Sequence, residues 1–128
     1  MARFKRFHSV NSALEVDLTG QVNAEAIGRE FLGTIGGQVD YVRAASLSEG
    51  GRSIIALPST ARQSSRIVSR LSGPVTTARS DVDVIVTEHG SAHLRGLCGR
   101  ERARALIRIA APEHREVLTQ QAQAEGLL

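Results

Sequence analysis

A chain of 128 residues and 13.7 kDa fits one domain and is long enough to bury an independent core. Hydrophobic residues make up 41% and charged residues 23%, which excludes a disordered chain, and no apolar run approaches the ~20 residues that span a bilayer. Net charge is +3, and of the 16 basic residues only Lys5 is not arginine; that grip suits phosphate or carboxylate, while an arginine-rich genome produces the same bias with no function attached.

The charged N-terminus has no apolar stretch behind it, so no signal peptide is expected. Cys98 is the only cysteine. It rules out an internal disulfide and a multi-cysteine zinc site, and it fits a reducing cytoplasm.

In chain order, Leu14, Val16 and Leu18 alternate with Glu15 and Asp17, which predicts a half-buried strand over 13–18 with both carboxylates on the outer face. Thr19-Gly20-Gln21 reads as a turn. Gly33-Thr34-Ile35-Gly36-Gly37 is a glycine-rich loop, and Val39, Val42 and Ala45 recur after it at helical spacing. Ser53-Ile54-Ile55-Ala56-Leu57 is an apolar run closed by Pro58, which suits a buried strand. Residues 59–65 read as a polar loop, and Ile67, Val68 and Leu71 as a short strand. Val82, Val84 and Val86 mark another strand, closed by Gly90. From Arg100 the period changes: Ala103, Leu106, Ile107 and Ala110 form one helical stripe, with Arg100, Arg104 and Arg108 elsewhere on the helix. Pro112 opens a second helix, packed by Val117 and Leu118 and frayed after Gln120. Strands interleaved with helices indicate an α/β domain with a partly parallel sheet.

Three places carry chemistry. Gly36-Gly37 directly precedes the predicted helix. Paired glycines let backbone approach a ligand, and a helix start offers free N–H groups to an oxyanion or phosphate; the same pair also suits a tight loop with no ligand. Ser59, Thr60 and Arg62 follow a strand end, where open α/β sheets bind ligands, and their hydroxyls and guanidinium suit a phosphate or carboxylate. Glu88-His89-Gly90 ends another strand, with a carboxylate beside an imidazole; the competing reading is a rim carboxylate paired with Arg95 or with backbone N–H groups. His89 and His93 lack the further ligands of a zinc site, so no metal is expected. The arginines from Arg95 to Arg108 have no aromatic neighbours for base stacking, which favours a solvated helix face over a nucleic-acid surface.

Taken together, the blocks Asn11-Ser12-Ala13-Leu14-Glu15-Val16-Asp17-Leu18-Thr19-Gly20-Gln21, Ile35-Gly36-Gly37-Gln38-Val39-Asp40-Tyr41, Ile54-Ile55-Ala56-Leu57-Pro58-Ser59-Thr60, Val75-Thr76-Thr77, Asp81-Val82-Asp83 and Val86-Thr87-Glu88-His89-Gly90 resemble, in that order, the C-terminal domain of the acetyl-CoA hydrolase/transferase family. That family includes the 4-hydroxybutyrate and succinyl-CoA:acetate CoA-transferases. The resemblance runs over residues 8–118, leaving 1–7 as an N-terminal extension and 119–128 as a tail. It implies an open, mostly parallel sheet with flanking helices.

The resemblance also implies chemistry. A glutamate attacks an acyl-CoA thioester, CoA passes through a glutamyl thioester, and an acceptor carboxylate or water completes transfer or hydrolysis. Gly37 matches the glycine whose N–H helps form the oxyanion hole. Gly36, Gly37, Ser59, Thr60 and Arg62 become the candidate CoA contacts, with Arg62 where relatives often carry lysine. CoA and acyl-CoA are expected as substrates, with no permanently bound cofactor. The nucleophilic glutamate is expected upstream, outside these residues, so the domain is expected to act with a partner chain carrying the N-terminal half, or in a homo-oligomer, and to be inactive alone. Glu88 is not expected to be that nucleophile. A lone half should expose an apolar face near Gly36-Gly37. The alternative is a non-catalytic CoA- or nucleotide-binding module, or a truncated remnant.

Overall fold

The computed structural model describes residues 3–128. Its main sheet is built from β1 (His8–Ser12), β6 (Arg52–Ala56), β10 (Val84–Thr87) and β11 (Gly90–His93), in that spatial order. β1, β6 and β10 are parallel, and only β11 runs antiparallel. This is the open, mostly parallel α/β arrangement that strands alternating with helices predict. A second, small sheet holds β2 (Glu15–Asp17) between β3 (Val22–Asn23) and β9 (Ile67–Val68). Two short hairpins complete the strands: β4 (Ala26–Ile27) with β5 (Glu30–Phe31), and β7 (Thr60–Ala61) with β8 (Ser64–Ser65).

Three helices pack on this frame: α1 (Gln38–Leu47), α2 (Gly99–Ile109) and α3 (Pro112–Ala124). α1 lies on β1 and β6, α2 on β10 and β11, and α3 on α2. Each follows from local sequence. The stripe expected for α2 is largely the one found: Ala103, Leu106 and Ala110 are fully buried, and Ile107 packs against them half-buried. Arg100, Arg104 and Arg108 are exposed. Pro112 stands at the first turn of α3, where its missing N–H has no helical partner to lose.

Several expectations need correction. Glu15 and Asp17 are 4% exposed, not on a solvent face. Each has found local or distant donors. Glu15 accepts from Asn23 Nδ2 (2.8 Å), from the Ser72 N–H (2.6 Å) and hydroxyl (3.0 Å), and from the Gly73 N–H (3.3 Å). Asp17 Oδ1 organises the following turn through the N–H groups of Thr19 and Gln21 and the Thr19 hydroxyl. A buried carboxylate is tolerable when its lone pairs are filled this way. Of the two residues expected to pack α3, Leu118 is buried and Val117 is 53% exposed. The helix does not fray after Gln120: it continues to Ala124, because Ala122 is fully buried and Leu127 and Leu128 fold back on the core.

The topology places the site. α1 runs between parallel strands β1 and β6 as a crossover, so its N-terminus lies at the carboxyl end of the sheet. The loops after β6 and β10 leave from that same end. Among the described residues no helix is long and apolar enough to cross a membrane.

Candidate functional site

Gly37 is the N-cap of α1 with φ −81° and ψ 8°, and no side chain caps it. The first helical N–H to find a partner in the helix is that of Tyr41, which donates to the Gly37 carbonyl (3.0 Å). Among the described residues the N–H groups of Gly36 and Gly37 make no hydrogen bond, and both glycines are exposed. A bound oxyanion therefore displaces no internal hydrogen bond. The loop is anchored just behind them, where Gln38 Nε2 donates to Thr77 Oγ1 (3.1 Å). Thr77 is fully buried and bridges to Val22, so the loop start is tied to the small sheet. Thr77 was no site candidate on sequence grounds; the polar Gln38 at the first helical position was its only signal. Asp40 in the first turn works against an anion at this helix start, which leaves the backbone donors as the main attraction.

β6 leads through Pro58 to Ser59, which is 1% exposed. Its N–H donates to Glu88 Oε2 (2.9 Å) and its hydroxyl to Glu88 Oε1 (2.6 Å). The Ser59 hydroxyl is thus engaged by Glu88. Of the pair, Thr60 is half-buried in β7 and Arg62 is exposed at the hairpin tip. Arg62 (φ 50°) and Gln63 (φ 66°) both adopt left-handed backbone in the two-residue turn between Ala61 and Ser64. A two-residue hairpin turn of this kind needs positive φ at both central positions, at some cost for non-glycine residues.

Glu88 is exposed, and the two Ser59 donors decide its chemistry. The Ser59 hydroxyl first, and then the backbone N–H, hold its carboxyl down at about 2 from an ordinary 4.5. His89 Nε2 lies 3.8 Å away and adds a smaller pull. Of the two rim readings, backbone pairing is the one found. Arg95 instead donates to Ser46 Oγ (2.8 Å) and lies 4.0 Å from Asp83. A carboxylate held this strongly ionised is a poor general acid, and its role here is to join the loops after β6 and β10. Because the folded value is depressed, its contribution to stability is present above about 4.5 and is lost as pH falls towards about 2. An NMR titration of the Glu88 carboxyl should show a midpoint near 2, and Ser59→Ala should move it up towards 4.5. An unshifted midpoint in the variant would show that Ser59 is not the cause.

Over the carboxyl ends of β6 and β10 lies a shallow depression of about 400 Å³, lined by Ala56, Leu57, Pro58, Val86, Thr87 and Glu88. The glycine loop is flanked in sequence by exposed apolar side chains, with Phe31 71%, Leu32 56%, Ile35 73% and Tyr41 45% exposed. Among the described residues no group of three or more His, Cys, Asp or Glu side chains is arranged to hold a metal ion.

The depression at the strand ends is lined by none of Gly36, Gly37 and Arg62, and the class of protein that the mostly parallel sheet with flanking helices defines is an open α/β domain. The chain belongs to the acetyl-CoA hydrolase/transferase C-terminal domain family, whose profile matches residues 1–122. It is similar to the 4-hydroxybutyrate coenzyme A transferase of Clostridium kluyveri, 54% identical over 114 residues, covering 86% of this chain and 27% of that one. It is also similar to the succinyl-CoA:acetate/propanoyl-CoA:succinate CoA transferase of Fasciola hepatica, 48% identical, covering 86% of this chain and 24% of that one. Among solved structures, RipA from Yersinia pestis matches with a TM-score of 0.88 at 48% identity, over 94% of this chain and 28% of that one. The chain thus spans about a quarter of the length of these relatives.

Proposed function

We propose that this domain forms one wall of a site that moves coenzyme A between an acyl-CoA and a carboxylate, or hydrolyses the acyl-CoA. The nucleophilic glutamate comes from polypeptide outside these 128 residues, supplied by a partner chain or by a longer chain of which this is a part. The observation that carries this reading is the pair of unbonded, exposed amides of Gly36 and Gly37 at the carboxyl end of the sheet.

The borrowed carboxylate attacks the thioester carbon, and the carbonyl oxygen becomes an oxyanion facing the Gly37 N–H. Collapse breaks the C–S bond, releasing CoA thiolate and leaving an acyl-glutamyl anhydride. The thiolate attacks the glutamyl carbonyl, freeing the first carboxylate and leaving a glutamyl-CoA thioester. An acceptor carboxylate then attacks that thioester, the thiolate leaves, and it returns to the acceptor's acyl carbon to give the new acyl-CoA and free glutamate. Water in place of the acceptor gives hydrolysis. The charge develops on the acyl oxygen in the first and last attacks and on the glutamyl oxygen in the two between, so a donor fixed at the acyl oxygen lowers the first and last barriers. Arg62, exposed at its strained hairpin, pairs with CoA phosphate, with Gly36, Ser59 and Thr60 beside the same end of the sheet. The medium is cytoplasmic, in keeping with a single exposed thiol at Cys98.

The test is acetyl-CoA turnover by this chain alone and by this chain mixed with the upstream part of the Clostridium kluyveri enzyme. Turnover is expected only in the mixture, and robust turnover by the chain alone would contradict a borrowed nucleophile. In the mixture Arg62→Ala is expected to weaken CoA binding about tenfold, the scale of one charge-assisted contact. CoA binding with no turnover in any assembly would instead make the domain a non-catalytic CoA module.

A further inference from the structure

The glycine loop has almost no bonding of its own. From Thr34 to Gly36 no backbone N–H or carbonyl bonds to another described residue, and at Gly37 only the carbonyl does. Thr34, Ile35, Gly36 and Gly37 are all exposed. Where the Gly36 and Gly37 amides point is therefore decided at the two ends of the loop.

Both ends hang from one short segment, Thr76-Thr77. At the helix end, Gln38 Nε2 donates to Thr77 Oγ1 (3.1 Å). At the other end, the N–H groups of Leu32 (2.8 Å) and Gly33 (2.9 Å) donate to the Glu25 carbonyl. Thr76 holds that residue in turn: its hydroxyl donates to Glu25 Oε2 (2.6 Å) and accepts from the Ala24 N–H (2.9 Å). The segment itself is fixed to β3. The N–H groups of Thr76 (2.8 Å) and Thr77 (3.1 Å) donate to the Val22 carbonyl, and the Val22 N–H donates to the Thr77 carbonyl (3.0 Å). Val22 and Thr77 are fully buried, and Glu25 is 6% exposed. Among the described residues the Thr77 hydroxyl bonds Gln38 and nothing else. A valine would fill the same space, so the hydroxyl serves the loop rather than the packing.

We propose that Thr77, acting through Gln38, is a positioning residue for CoA transfer: it fixes the helix end of the glycine loop and so aims the Gly37 amide at the developing oxyanion. Thr76, acting through Glu25, does the same for the other end. Neither threonine touches the reacting atoms. Their effect is on aim, and a misplacement of about 1 Å in a reacting site can cost on the order of a hundredfold in rate. The proposal rests on the reading that the Gly37 N–H faces the oxyanion. Thr77 is the residue to test, because replacing Thr76 would strip a donor from the buried Glu25 carboxylate and put the fold at risk.

Two measurements on Thr77→Val, Gln38→Leu and their combination test it. In the chain alone, NMR order parameters of the Gly36 and Gly37 amides are expected to fall in all three variants, while those of β6 stay as in the parent. In assemblies with the upstream part of the Clostridium kluyveri enzyme, kcat for CoA transfer is expected to fall about tenfold in each single variant and no further in the double one, with KM for the acyl-CoA within about twofold. Thr77→Ser keeps the hydroxyl and is expected to recover most of the rate. Unchanged order parameters in Thr77→Val, an undiminished kcat, losses that multiply in the double variant, or Thr77→Ser as slow as Thr77→Val would each overturn the proposal. A lowered melting temperature with the parent's kcat in the folded fraction would overturn it too, in favour of a purely structural threonine. Loosened glycine amides in variants of a domain whose parent assembly transfers no CoA would leave the anchor standing and remove the catalytic reading.

Discussion

Gly51→Ala is expected to destabilise the domain by about 3 kcal/mol or more, lowering its melting temperature by on the order of 10 °C. Gly51 lies where α1 turns into β6, and its N–H donates to the Ser48 carbonyl (2.9 Å). A methyl group there would collide with the Ala45 carbonyl oxygen, lie 2.6 Å from the Phe7 carbonyl oxygen and 2.8 Å from Ser48 Cβ. Two of those neighbours are backbone atoms, one from the end of α1 and one from the lead into β1, and neither can rotate away. Relief requires moving α1 off the strands it covers. Gly36 is the internal control: an added Cβ there meets nothing within 4 Å, so Gly36→Ala should stay within about 0.5 kcal/mol of the parent. Thermal unfolding of the two variants side by side checks the contrast. Equal melting temperatures would mean that the turn at Gly51 is not packed as described.

The second large effect falls on chemistry rather than stability. At φ −81° the Gly37 backbone already lies near the value a proline ring imposes, and its N–H has no partner within the described chain. Gly37→Pro therefore removes one N–H donor and little else from the fold. Gly37→Ala adds the same Cβ, 3.0 Å from the edge of the Tyr41 ring, but keeps the donor. If the Gly37 N–H faces the developing oxyanion, its loss should lower CoA transfer by about 100- to 1,000-fold, the scale measured for single oxyanion donors. The alanine variant should lose far less.

What the sequence made legible follows from how local each signal is. α2 was readable because Ala103, Leu106 and Ala110 repeat at helical spacing and are the residues that become buried. β6 was readable from its apolar run and β10 from the alternation of Val82, Val84 and Val86. β1 was not, since His8–Ser12 contains a single apolar residue and becomes a strand only because β6 lies alongside it. β11, with the sequence Gly-Ser-Ala-His, is likewise defined by its pairing with β10. Alternation put Glu15 and Asp17 outside, because period 2 carries no information about a distant donor. The loop that buries Glu15 centres on Ser72, 57 residues away. At the site, the glycine loop and its helix start were visible as a motif. The clamp between Ser59 and Glu88 was not, because its partners are 29 residues apart and meet only when the parallel strands align.

The central claim is that the Gly37 amide stabilises the tetrahedral oxyanion of a thioester attacked by a carboxylate from elsewhere. The most direct test compares steady-state CoA transfer by assemblies containing the parent domain, Gly37→Ala and Gly37→Pro, each checked for equal assembly and equal CoA binding. A hundredfold or greater loss in kcat for the proline variant alone is the predicted result. Proline and alanine variants with the same rate would contradict it.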